Sequence, residues 1–190
     1  MVTTEVAYGA VLTCIALERI WELFLSRRNA RLALEQGGVE VGQRHFRWMV
    51  VLHTLIFPAA LAEVLILGRP FRPWLGGAMG AALVASMGLR YWAVATLGSA
   101  WNTRVLVVPG RPVVEAGPYR WIRHPNYVAV CMEILALPLL HGAWMTAGVF
   151  SLLNAALLKV RIGVEEAALT EHCGYGERME QRPRFLPDGP

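Results

Sequence analysis

Long apolar blocks dominate this chain and leave few ways to fold it. A bilayer core takes roughly 20 apolar residues of helix. Residues 4–25 form a first candidate span, with Glu18, Arg19 and Glu22 in its second half. Residues 48–67 form a second, containing His53, Pro58 and Glu63, and 74–97 a third, interrupted by Arg90. Residues 127–140 and 143–160 follow as a shorter pair, which reads as a tight helical hairpin turned at His141-Gly142. Only 17% of the 190 residues are charged, against about 25% in soluble domains. The expected fold is therefore all-α, a polytopic membrane protein of about five transmembrane helices. The hairpin is C-terminal, and a ligand-binding loop lies on the cytosolic side.

Cationic residues set the orientation. Arg27, Arg28, Arg31, Arg44 and Arg47 lie in loop 26–47, and Arg104, Arg111, Arg120 and Arg123 in loop 98–126. Lys159, Arg161, Arg178, Arg182 and Arg184 follow the last block. The other side has Arg69 and Arg72. This asymmetry puts the N-terminus outside and the three basic groups in the cytosol. The chain reads as one domain, 1–190: three N-terminal spans in 1–97, a core in 98–170 and a tail in 171–190. Gln181 to Pro190 is expected to be poorly ordered.

Several function classes are excluded. The net charge of +4 comes from arginines beside apolar blocks, and no basic run with interleaved aromatics suggests nucleic acid. Cys14, Cys131 and Cys173 fit neither a zinc knuckle nor a CxxC pair, and all three read as reduced. No His/Cys/carboxylate cluster has metal spacing. No strand-turn-helix unit carries GxGxxG, so a Rossmann site is unsupported. The first block lacks the charged flank and cleavage site of a signal peptide and is expected to remain as a span.

Polar chemistry concentrates in two stretches. Residues 111–127 read RPVVEAGPYRWIRHPNY. Gly117-Pro118 and His124-Pro125 are turn signals, and Pro125 and Asn126 suit a helix start. Such a terminus offers N–H groups to an anionic ligand, and Tyr119, Trp121 and Tyr127 can line an adenine pocket. The competing reading is a set of interface anchors. In the second stretch, Arg161 and Glu165 share a helical face. They form either a surface ion pair or a site in which Glu165 holds a ligand and Arg161 orients an anionic acceptor. Glu18, Arg19, Glu22, Glu63 and Arg90 lie at membrane depth, where ionisable groups are costly. Glu18, Glu22 and Arg90 read as a neutralising structural network, and His53 and His141 as packing residues.

These stretches resemble the isoprenylcysteine carboxyl methyltransferase family, particularly its short bacterial members. The resemblance rests on Val113-Val114, Gly117-Pro118-Tyr119, Arg123-His124-Pro125-Asn126-Tyr127, and Arg161 with Glu165-Glu166, and spans roughly residues 97–170. Leu97-Gly98-Ser99-Ala100-Trp101 is similar to the family's entry to its site. Asn126 and Arg104 depart from the Ser and Gln of eukaryotic members.

The resemblance implies a multi-pass protein of the bacterial inner membrane, with its active site on the cytosolic face. It implies an S-adenosylmethionine-dependent O-methyltransferase, releasing S-adenosylhomocysteine. Arg111, Pro112, Val113, Val114, Tyr119, His124, Pro125, Asn126, Tyr127 and Glu165 would bind the donor. Arg161 would bind the acceptor. Arg161, Glu165, Glu166 and His124 are the catalytic candidates, with Glu166 or His124 as the base for a hydroxyl acceptor. The acceptor would be a lipophilic small molecule or a prenylated group entering sideways from lipid, with membrane lipids as the other partners. It is either a prenylated cysteine carboxylate or the phenol or enol of an alkylresorcinol- or alkylpyrone-type lipid. A nicotinamide-dependent lipid reductase of related fold and a non-catalytic interaction protein remain the rival readings.

Overall fold

A computed structural model describes residues 2–187; Met1 and the last three positions of the expected tail lie outside the described residues. The element order is α1 (Val2–Glu35), β1 (Val39–Val41), α2 (Gln43–Ile66), α3 (Pro73–Leu97), β2 (Val105–Val107), α4 (Pro125–Leu139), α5 (Trp144–Cys173) and α6 (Tyr175–Met179). Short 3-10 turns at Gly98–Ala100 and Gly117–Arg120 join them. By length and composition α2, α3 and α5 are apolar enough to cross a membrane, and α4 is a shorter apolar helix. Their outer faces expose large apolar side chains such as Ile66, Val84 and Leu152. Water would penalise so much apolar surface, and lipid accepts it.

Two expectations need correcting. Residues 26–35 are not loop: α1 runs on to Glu35. Ser26, Asn29, Ala30 and Ala33, at three- and four-residue steps, form its buried face. The chain is also not wholly helical. β1 pairs antiparallel with β2, Val39 opposite Val107 and Val41 opposite Val105. β-branched residues at alternate positions suit such a ribbon. At Gly42, φ is +72° and an added Cβ would lie 2.1 Å from the His45 ring, so this turn from β1 into α2 requires glycine.

The core runs through the bundle. Tyr8, Leu12 and Ile15 of α1 meet Ala60 and Val64 of α2, Leu83 of α3 and Leu137 of α4. Beyond them Met49, Tyr127, Leu158 and Ile162 join α2, α4 and α5. A four-residue turn, 140–143, with Gly142 at φ +75°, separates α4 from α5. Glu63 closes that end: its carboxylate accepts from Met145 N (3.1 Å), Thr146 N (2.7 Å), Thr146 Oγ1 (2.8 Å) and Arg69 Nε (3.1 Å). It thereby satisfies free N–H groups at the start of α5.

Glu18, Arg19, Glu22, Arg90 and Glu133 form one network inside the bundle. Arg19 bonds Glu18 and reaches Glu22 at 2.8 Å. Arg90 reaches Glu22 at 3.5 Å and Glu133 at 2.6 Å. Glu133, not singled out in the sequence, is its α4 member.

Candidate functional site

The polar groups converge where α1, the ribbon, the 98–124 segment, the start of α4 and the end of α5 meet. They surround a cleft of about 160 Å³. Of the residues expected to bind a ligand, Arg111, Pro112, Val113, Val114, Tyr119, His124, Asn126, Tyr127, Arg161 and Glu165 all line it. Pro125 does not; it is buried as the first residue of α4. Among the described residues the lining holds the cations Arg104, Arg111, Arg123 and Arg161 and one carboxylate, Glu165.

Arg161 is 5% exposed, which rules out the surface ion pair. Its Nε donates to the Tyr127 hydroxyl at 2.7 Å, and that hydroxyl donates to Glu165 Oε2. Tyr127 thus joins the guanidinium to the carboxylate and fixes both. Arg161 Nη1 also rests on Met49 Sδ at 3.7 Å. Burial, reinforced by Glu165, pushes the Tyr119 phenol up; burial, then Glu165 and Glu166, does the same for Tyr175. Both phenols therefore stay neutral at physiological pH and act as hydrogen-bonding groups rather than bases.

Glu166 faces away from the cleft lining. It lies 2.9 Å from His124 Nε2 and 3.2 Å from Arg123 Nη1, and accepts from Arg184 Nη2 at 2.7 Å. The sequence put it forward as a base; the structure engages it in holding the loop and the tail together. His124 does line the cleft, with its ring stacked on Tyr127 at 5.2 Å. The expected anion site at the start of α4 is also largely taken. Tyr127 N and Val128 N donate to His124 O, and His124 N donates to Arg184 O at 3.0 Å. Trp121 leaves the expected aromatic pocket: it packs edge-on to Trp92 at 5.5 Å and under Arg120 at 4.0 Å. Trp101 lines the cleft in its stead.

Sequence reasoning missed the contribution of α1. Ser26 Oγ bonds Asn102 Oδ1 at 2.8 Å, and Asn29 Nδ2 donates to Trp101 O at 2.8 Å. The buried stripe of α1 thus pins the 98–103 segment that walls the cleft. No group of three or more His, Cys, Asp or Glu able to hold a metal occurs among the described residues.

The tail is strapped across the 115–124 segment. Arg123 N donates to Pro183 O at 3.0 Å, and Arg182 Nη2 reaches Glu115 at 2.6 Å. Hydrogen bonds from Arg182 and Arg178 hold the Glu115 carboxyl below its usual value. A depressed carboxylate contributes above its unfolded pKa, and that contribution is lost as pH falls through the folded value. The strap is therefore expected to loosen on acidification below the ordinary carboxylate range. Anisotropy of a fluorophore at the tail should fall there, and Glu115→Gln should lower it already at neutral pH. Unchanged anisotropy in that variant would exclude Glu115 as the latch.

This is a helical membrane protein with a polar, ligand-sized cleft at one end of its bundle. Residues 78–171 match the family described as isoprenylcysteine carboxyl methyltransferase, and the chain belongs to that family of membrane methyltransferases. It is 40% identical over 166 residues to the uncharacterised protein YpbQ of Bacillus subtilis, covering 87% of this chain and 98% of that one. An uncharacterised Haemophilus influenzae protein is 24% identical over 158 residues, 83% of this chain and 91% of its own. The protein-S-isoprenylcysteine O-methyltransferase of Schizosaccharomyces pombe is 32% identical over 77 residues, 40% of this chain and 32% of its own.

Proposed function

We propose that the protein transfers a methyl group from S-adenosylmethionine to an oxygen of a lipophilic acceptor, with the cleft at the cytosolic face of a five-span bundle. One observation carries this: the 111–114 segment, the start of α4 and the Arg161–Tyr127–Glu165 relay enclose a single cleft. The lining suits the donor. It offers guanidiniums and a carboxylate for a ligand bearing both signs. Arg111, Val113, Val114, Tyr119, Asn126 and Glu165 would hold it. When bound, the donor supplies an already activated methyl group on a sulfonium, so no covalent link to the protein is needed.

The chain's own contribution is placement and exclusion of water. Arg161, held by Tyr127, orients an acceptor oxygen entering from the lipid side. A carboxylate acceptor arrives ionised and needs no base. A phenol or enol hands its proton to His124, the imidazole on the cleft wall, and Glu166 stabilises the resulting imidazolium.

Titrating the purified protein with S-adenosylhomocysteine and with NADPH tests the reading. Homocysteine-nucleoside binding that falls at least tenfold in Glu165→Ala is expected; binding of NADPH alone would replace it with the reductase reading. Labelled donor offered with a farnesylated cysteine and with an alkylresorcinol then identifies the acceptor.

A further inference from the structure

α1 is longer than a bilayer needs. Its 34 residues extend about 51 Å, against about 30 Å of hydrocarbon. Leu17, Ile20, Trp21 and Phe24 expose an apolar face. At helical spacing Arg27, Arg28 and Arg31 continue that same face, and all three are exposed. The face passes from aliphatic to aromatic to basic, the order of a lipid-facing helix entering the headgroup layer. From Arg27 to Arg31 the helix rises about 6 Å, and that layer is about 5–7 Å deep on each side. α2 runs through the same order in reverse: Arg44, Arg47, Trp48 and Val51, which share one helical face, are all exposed.

None of these five arginines forms an ion pair among the described residues, whereas Arg104, Arg123, Arg178, Arg182 and Arg184 each meet a carboxylate. We infer that Arg27, Arg28 and Arg31, assisted by Arg44 and Arg47, form a docking surface for the headgroups of anionic phospholipids. A free guanidinium fork matches phosphate oxygens in pairs. The aromatic rings decide between a lipid and an acidic macromolecule. Phe24 lies against Arg27, 6.0 Å from ring centre to guanidinium carbon, and Trp48 is 61% exposed beside Arg44 and Arg47 in the helix sequence. Exposed rings next to the cations suit acyl chains below a phosphate, not water below a soluble partner. The buried side of the same α1 turns carries Ser26 and Asn29, which hold the 98–103 wall of the cleft. The surface therefore seats that wall at the membrane face. This inference rests on α1 spanning the bilayer and not on the methyl-donor reading.

Electron spin resonance of the full chain in phosphatidylcholine nanodiscs tests this, with nitroxide-labelled phosphatidylglycerol or phosphatidylcholine as the probe. At low ionic strength the protein-bound fraction is expected to favour phosphatidylglycerol about fivefold, and about 0.5 M salt should erase most of that preference. Arg27→Gln/Arg28→Gln/Arg31→Gln should lose at least half of it, and adding Arg44→Gln/Arg47→Gln should remove the rest. Arg178→Gln, which removes an arginine already paired with Glu115, should change nothing. Equal binding of the two lipids by the wild type, or full preference in the triple variant, would overturn the inference. Should the triple variant fold poorly, Arg28→Gln and Arg31→Gln are read singly, and no loss in either overturns it. A nitroxide at Ile20→Cys, with the native cysteines replaced by serine, should be open to oxygen and closed to a water-soluble nickel chelate. The reverse would overturn the spanning of α1, and the surface with it; a lipid-buried Ile20 without lipid preference overturns the surface alone.

Discussion

Replacing Arg161 with methionine is expected to lower kcat/KM for methyl transfer by about 10²- to 10³-fold while leaving S-adenosylhomocysteine affinity within a few-fold. The guanidinium is nearly enclosed, and its Nε is spent on Tyr127. Nη1 rests on Met49, and the residue lines the cleft. A charge placed there acts on a developing or ionised acceptor oxygen without screening by water. Arg161→Lys keeps the charge but cannot hold Tyr127 and the acceptor at once, so it should recover little activity. Tyr127→Phe frees both Arg161 and Glu165 and should cost both acceptor and donor affinity. Initial rates with labelled donor, alongside melting temperatures, separate these effects. A methionine variant turning over within tenfold of wild type would remove Arg161 from the acceptor site.

What the sequence revealed and what it hid follow from the range of the signals. The helix start at Pro125 and the turn at Gly142 were legible because local backbone chemistry dictates them. The 111–127 and 161–166 stretches stood out because they concentrate polar groups beside apolar blocks. The C-terminal half of α1 was hidden by its arginines, which drew attention from the small residues at 26, 29, 30 and 33. The ribbon was hidden by its length: Val39–Val41 and Val105–Val107 have no meaning until they meet. The contacts of Glu166 were hidden because adjacency to Glu165 says nothing about direction. On a helix, neighbours point about 100° apart, and here one carboxylate enters the cleft and the other meets the tail.

Arg90→Leu is expected to be among the most damaging substitutions outside the cleft, costing about 3–5 kcal/mol. Three carboxylates, Glu18, Glu22 and Glu133, share two guanidiniums, Arg19 and Arg90, inside the bundle. Removing Arg90 leaves Glu22 and Glu133 to compete for Arg19, which stands 3.8 Å from Glu133. Burial makes the remaining charge dear because neither lipid nor protein can solvate it. The penalty is one of imbalance rather than of lost attraction, so removing a negative charge as well should relieve it. Arg90→Leu/Glu133→Leu should melt above Arg90→Leu alone, a coupling that a cavity effect would not produce. Equal melting of the single and double variants would reduce the network to ordinary packing. Its position ties stability to function. Arg90 lies on α3, whose C-terminal end meets the 98–101 segment, and Glu133 lies on α4, whose start carries His124 and Asn126. Arg19 and Glu22 lie on α1, whose Asn29 holds Trp101. The network therefore fixes the mutual alignment of α1, α3 and α4, three of the helices that wall the cleft, and S-adenosylhomocysteine affinity should fall in Arg90→Leu and partly return in the double variant.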